Sequence, residues 1–159
     1  MVFRDYVKLG IAIGVCELAG VIGVFFARPA ISGWYLLVVK PSLTPPSWVF
    51  APVWILLYAL MGIAAFLIWR KGFERSDVWW AMTIFDFQLA LNIFWSVIFF
   101  GLHNPLSAFI ELVLLWGAIL ATMIMFYRIS RAAAWLLAPY ILWVSFAGYL
   151  NYMIWVLNF

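Results

Sequence analysis

Indole is the side chain with the most chemistry to offer in this sequence: eleven of its 159 residues are tryptophan. Trp54, Trp95 and Trp143 fall inside long apolar runs, on helical faces that also carry polar groups, so an interfacial belt does not account for them. With Tyr35, Tyr58, Gln88 and Asn92 they describe an aromatic cavity with a few hydrogen-bonding groups. Such a cavity suits a flat, largely apolar ligand held by stacking and oriented by sparse polar contacts. The same stripe could equally serve packing and interhelical hydrogen bonding, and the residues alone leave both readings open.

Other chemistries find no support. With one histidine, His103, in the turn His103-Asn104-Pro105, no Ser-His-Asp or Cys-His set can be assembled, and His103 reads as a solvated turn residue. Metal-ligand spacing and a glycine-rich phosphate loop are both missing, so no metal site is expected. The single cysteine, Cys16, lies in an apolar run and cannot form an intrachain disulfide. Glu17, Asp86 and Glu111 sit in three different apolar runs; acids inside a span raise the possibility of a proton pathway, but here they lack tight spacing.

The elements that hold these residues are membrane helices. Hydrophobic residues make up 69% of the chain and charged residues 9%, whereas a soluble domain is about half apolar and about a quarter charged. A soluble globule of this size has too little interior for so much apolar surface. Five runs, about 6–26, 46–69, 78–100, 106–127 and 133–157, reach the roughly 20 residues that span a bilayer. Strand-like alternation is missing, so the expected fold is an all-α, single-domain bundle of five transmembrane helices over 1–159, with one long loop between the first two.

In the first span Gly10, Gly14 and Glu17 share a face, which predicts a close helix approach and an inward acid. The loop at 27–45 is rich in aromatics and proline and reads as a structured lid, with Trp34, Lys40, Pro41 and Pro45 in it and Pro46 where it enters the second span. Thr44 before Pro45 reads as the N-cap of the second span, and Pro52 and Pro139 as points where helices bend. Gln88, Asn92, Trp95 and Phe99 recur at i, i+4, i+7 and i+11 and should face inward. So should Glu111, Leu115, Ala118 and Thr122 in the fourth span, and Tyr140, Trp143, Ala147, Leu150 and Asn151 in the fifth. Trp69, Trp79 and Trp80 flank a charged turn as an interfacial belt.

Seven lysines and arginines fall on one side of the predicted bundle (Arg4, Lys8, Arg70, Lys71, Arg75, Arg128, Arg131) and two, Arg28 and Lys40, on the other. The positive-inside rule then predicts an inner N-terminus, with the long loop and the C-terminus outside. The net charge of +3 follows from these helix-end residues and does not indicate nucleic acid.

Several motifs in this order resemble the tryptophan-rich sensory protein and translocator protein family, the peripheral-type benzodiazepine receptors. They are Trp34-Tyr35 followed by Lys40-Pro41, Pro45-Pro46-Ser47-Trp48, Trp54, QLALN at 88–92 with Trp95, FFG at 99–101, and PYILW at 139–143 followed by Ala147 and Leu150-Asn151. The resemblance covers essentially the whole chain. It implies a five-helix bundle, often dimeric, with the first loop folded over a cavity and no required cofactor. The implied ligands are porphyrins such as protoporphyrin IX and haem, benzodiazepine-type and isoquinoline compounds, and in animals cholesterol. It implies ligand contacts at Tyr35, Trp54, Gln88, Asn92, Trp143 and Ala147. Some bacterial members promote light- and oxygen-dependent breakdown of protoporphyrin, which would make Trp54 and Trp143 catalytic.

Three positions depart from the family pattern. Leu43 stands where many members carry a further tryptophan, so one aromatic wall is absent. No Lys or Arg follows Tyr152, so sterol recognition by the animal motif is not expected. Ala81 and Ala90 are nine apart, so the third span lacks a close small-residue seam for a homodimer. The leading expectation is a membrane protein binding porphyrin-like ligands under the loop; the alternatives are photo-oxidative porphyrin degradation and transport of porphyrin or sterol-like ligands. Haem bound in the aromatic cavity would lack histidine ligation, because His103 lies outside it.

Overall fold

In hydrocarbon every backbone N–H and C=O must find its partner within the protein, and a chain this apolar meets that demand by coiling into helices. The structure, a computed structural model, describes residues 3–159. Among them five helices are long and apolar enough to cross a bilayer, and no strand occurs. The elements are α1 (Phe3–Ile31), α2 (Trp34–Leu37), α3 (Ser47–Trp69), α4 (Ser76–Ser96, prolonged by a π turn at Val97–Gly101), α5 (Pro105–Ile129), α6 (Arg131–Leu136) and α7 (Ala138–Asn158). This is an integral, multi-pass membrane protein, and its surface says the same: Leu18, Val21, Phe25, Ile55, Phe87, Phe94, Leu114 and Leu142 are all exposed.

The helix ends follow local chemistry. Pro105 opens α5, where its missing N–H is not needed, and Asn104 Oδ1 accepts from Ser107 N at 3.0 Å. Ser130 caps α6 by accepting from Ala133 N. Between α3 and α4 the chain turns through Gly72 at φ +102°, a backbone conformation that glycine adopts without strain. Arg75 and Asp77 then pair at 2.8 Å at the start of α4.

Packing is set by small residues. A Cβ on Gly62 of α3 would collide with the backbone of Ile13, so α1 and α3 touch main chain to main chain there. Gly20 of α1 receives the ring of Tyr58, and Gly23 receives the Ser96 side chain. Below these contacts lies an apolar core of Met61, Ile68, Phe85, Ile119 and Phe126, with Phe85 and Phe126 stacked at 5.7 Å. The faces predicted for α4, α5 and α7 are turned inward: Gln88, Asn92, Phe99, Glu111, Leu115, Thr122, Tyr140, Leu150 and Asn151 are buried.

Several expectations are corrected. Gly10 and Gly14 have nothing within 4 Å of an added Cβ; α1 instead comes closest to another backbone at Ile13, where Gly62 of α3 supplies the small residue, and Gly20 and Gly23 make room for side chains. Glu17 is only half-buried, at the edge of the bundle. The long connection is shorter than 27–45, because α1 continues through Pro29 to Ile31 and α2 occupies part of the rest. Thr44 does not cap α3: its Oγ1 donates to Pro41 O at 2.8 Å inside the loop, and Pro46 takes the cap position without a side-chain bond. The last span breaks at Leu137, between α6 and α7, and Pro139 sits in the first turn of α7, where proline is tolerated.

Candidate functional site

The inward face of α4 meets α3 and α7 at a layer of polar groups surrounded by indole and phenol rings. Tyr58 on α3 donates to Asn92 Oδ1. Asn92 Nδ2 donates to the Tyr140 hydroxyl at 2.9 Å, and Tyr140 donates to Gln88 Oε1 at 2.9 Å. All four side chains are buried, with exposures of 5% or less. A polar chain this deep stays folded only because its members satisfy one another.

Two donors at this level are left over. Gln88 Nε2 and Trp143 Nε1 are buried without a hydrogen-bond partner, and both carboxyl oxygens of Glu111 share that condition. A buried unpaired donor costs roughly 1–3 kcal/mol, so these groups mark where the layer is least satisfied.

Aromatic rings flank the chain. Trp54 stacks on Tyr58 at 5.5 Å and 29°, and meets Tyr140 edge-on at 6.4 Å. Trp143 lies one turn from Tyr140 and packs against Phe50 and Phe146. Trp54, Trp143 and Ala147 are half-buried, so they reach from the polar layer toward the surface. Trp95 sits higher on α4, donating from Nε1 to Asn151 Oδ1 at 3.0 Å, while Asn151 Nδ2 donates to Pro105 O at 2.7 Å.

Above Trp95 lies a second apolar cluster that ties down the loop. Trp95 stacks on Phe99 at 5.2 Å and 17°, and Phe99 touches both Trp34 and Tyr35. Val38 and Pro41 are buried. Lys40 Nζ lies 4.6 Å from the centre of the Tyr35 ring and donates to Val38 O. Burial raises the Tyr35 phenol above its ordinary value, so it stays protonated at neutral pH. Asn158, at the end of α7, then clasps Val39: Val39 N donates to Asn158 Oδ1 and Asn158 Nδ2 to Val39 O, each at 2.9 Å. Pro45 is half-buried and Pro46 exposed at the entry to α3.

The predicted site residues therefore fall into two groups. Trp54, Tyr58, Gln88, Asn92, Trp143 and Ala147 surround the polar layer, while Tyr35, Trp34 and Lys40 belong to the covering cluster with Trp95 at the join. A cleft of about 460 Å³ opens between α5 and α7 and another of about 370 Å³ between α1 and the α4–α5 turn, and neither is lined by Trp54 or Trp143. Residue-type reasoning missed three participants. Tyr140 and Asn151 were visible as inward positions without a role, and the Asn158 clasp gives no local signal, since its partner lies 119 residues away. His103 is exposed in its turn, as expected, and in addition stacks on Trp34 at 4.7 Å and 16°.

Fold and site together define a polytopic membrane protein whose helices surround a tryptophan-flanked polar layer beneath a clasped loop. The chain belongs to the TspO/MBR family, whose model matches residues 12–156. It is 41% identical over 155 residues to the tryptophan-rich protein TspO of Chlorobaculum tepidum, covering 98% of each chain. It is 41% identical over 154 residues to the protein of that name from Archaeoglobus fulgidus, with 97% and 99% covered. The human translocator protein is 40% identical over 144 residues, with 87% of this chain and 85% of the human one aligned.

Proposed function

We propose that this protein binds porphyrin-type ligands, protoporphyrin IX or haem, and other flat apolar molecules at the aromatic layer beneath residues 34–46. In that role it serves sensing or tetrapyrrole handling in the membrane. The observation that carries the reading is the pair of buried, unpartnered donors, Gln88 Nε2 and Trp143 Nε1, in a layer flanked by Trp54. A flat ligand with peripheral acceptors would satisfy those donors while its faces stack on indole. Trp54, Trp143, Tyr58 and Ala147 are the contact surface, Gln88 and Asn92 the polar floor, and Trp95 and Tyr35 the join to the covering loop. The ligand is cargo or signal, and no cofactor is required. A homodimer in the bilayer is compatible with this arrangement.

A second reading is light- and oxygen-dependent porphyrin degradation, with Trp54 and Trp143 supplying electrons. What favours it is the stack of Trp54 on Tyr58, whose phenol donates into the chain through Asn92 and Tyr140. One titration tests both. Protoporphyrin IX added in the dark should quench tryptophan fluorescence saturably, about tenfold more weakly in Trp143→Phe. Absence of saturable quenching removes the porphyrin reading. Illumination of the same samples then decides the second: bleaching abolished in Trp54→Phe supports it, and bleaching unchanged in that variant ends it.

A further inference from the structure

At the end of the bundle opposite the clasped loop, the start of α1 meets the end of α3. Lys8, half-buried, places its ammonium 5.3 Å from the centre of the Trp69 ring. Arg4 stands one turn before it on α1 and is exposed. Arg70 follows Trp69 in the chain, occupies the C-cap of α3, and lays its guanidinium over Phe66 at 5.6 Å. Lys71 comes next, in a turn fixed by Lys71 N donating to Ile68 O at 2.9 Å and Gly72 N to Trp69 O at 3.1 Å. The acids of that corner are Asp5, half-buried, and Glu74, whose carboxyl lies against Gly72. Among the described residues, the salt bridge at this end joins Arg75 to Asp77 and takes none of the four bases.

The helix ends account for two of those bases. Arg70 and Lys71 follow the C-terminus of α3, where the helix dipole favours a cation. Arg4 lies in the first turn of α1, where the dipole opposes it, and Lys8 one turn on gains nothing from it. Bases gathered against a dipole, beside two more, call for an anion from outside the chain. The aromatic neighbours fix its depth. Trp69 pairs with Phe73 at 6.0 Å, and Trp79 and Trp80, 4.8 Å apart, are exposed at the same end, the position indole takes at the headgroup level. The bases therefore stand where lipid phosphates lie. From Arg4 an exposed apolar stripe runs along α1 through Val7, Ile11 and Leu18, and beside it an added Cβ on Gly14 would meet nothing within 4 Å. Charge at the headgroup level with a hydrocarbon path leading from it fits a phospholipid better than a soluble anion.

We propose that this corner binds an anionic phospholipid, its phosphate shared by Lys8, Arg70 and Lys71 with Arg4 at the rim, and an acyl chain lying along the outer face of α1. Ammonium and guanidinium groups hold phosphate by charge and by N–H donation together. Bases beside a membrane helix strengthen the hold on anionic lipid by roughly fivefold each. The corner lies at the far end of the bundle from the loop and shares no residue with the aromatic layer, so it stands or falls apart from the porphyrin reading. A lipid bound there ties α1 to α3, the pair whose main chains touch at Ile13 and Gly62.

The test is native mass spectrometry of the full-length protein released from bilayer discs made of equal parts phosphatidylglycerol and phosphatidylcholine. Wild type should retain phosphatidylglycerol in preference to phosphatidylcholine. Lys8→Gln and Arg70→Gln should each lower that retention about fivefold, and the double variant should lose the preference. Lys8→Arg, which keeps the charge, should preserve it, as should Arg128→Gln, which removes a base from the last turn of α5 at the same end. Phosphatidylglycerol should also raise the thermal unfolding midpoint of wild type above its value in pure phosphatidylcholine, and should fail to do so for the double variant. A preference unchanged in the double variant would overturn the proposal. An equal loss in Arg128→Gln would overturn it too, by making the attraction a property of the whole charged end. So would displacement of the lipid by millimolar inorganic phosphate, which would leave an anion site with no lipid part.

Discussion

Asn92 is the residue on which the buried polar layer depends, because it both accepts from Tyr58 and donates to Tyr140. Replacing it with leucine would strand the Tyr58 phenol, at roughly 1–3 kcal/mol, and would take from Tyr140 the donor it accepts from, leaving that phenol only its bond to Gln88. Asn92→Leu should therefore lower the unfolding midpoint in detergent markedly. Tyr58→Phe, which removes one hydrogen bond where Asn92→Leu removes two, should lower it by less. Equal losses would mean that the chain through Asn92 is not what holds the layer. The stripe of Gln88, Asn92, Trp95 and Phe99 was legible in the sequence because a period of 3.6 puts all four on one face. Their partners were not, because Tyr140 and Asn151 reach that face from a helix about 50 residues away. His103 is the exposed turn residue that its type suggests, and only the fold brings Trp34 against it.

Among the elements, the loop at 34–46 is held mainly from outside itself. Phe99 and Phe100 underlie Trp34 and Tyr35, while Asn158 grips Val39 through both amide groups. Asn158→Ala removes that grip without touching the aromatic contacts. Amide hydrogen exchange at residues 38–42 should quicken by about tenfold, in line with the loss of one to two hydrogen bonds, while exchange in α3 and α4 stays as it was. Unchanged exchange would show that stacking alone secures the loop. Hydrophobic length located all five spans, and their ends shifted by only a few residues. The sequence reading went furthest astray at proline: Pro29 lies within α1, and the break ascribed to Pro139 falls instead at Leu137. Proline marks where a helix tolerates a missing donor, and whether the chain bends or simply begins there depends on neighbours that residue type does not reveal.

For the molecule as a whole, the distribution of Lys and Arg makes a claim about orientation that the helix packing leaves open. The end bearing Arg70, Lys71, Arg75, Arg128 and Arg131 should face the inner side, and the end bearing the clasped loop the outer. A membrane-impermeant thiol reagent added to intact cells should label Ser42→Cys and not Lys71→Cys, and both after permeabilisation. Cys16, 1% exposed, contributes no background. The reverse pattern would invert the assignment and place the clasped loop toward the cell interior.

The π turn at Val97–Gly101 holds one residue more per turn than the helix it prolongs, closing with Leu102 N on Val97 O. Two consecutive rings, Phe99 and Phe100, can consequently both reach Tyr35. In genetic terms the difference between this turn and an α-helical one is about one residue, the unit that one codon supplies. Deleting a single codon there would let an ordinary helix close, leaving the spans intact while rotating His103 and Asn104 away from Trp34. Inheritance could in this way separate the two halves of the design, discarding the covered sites while keeping a membrane protein that still folds.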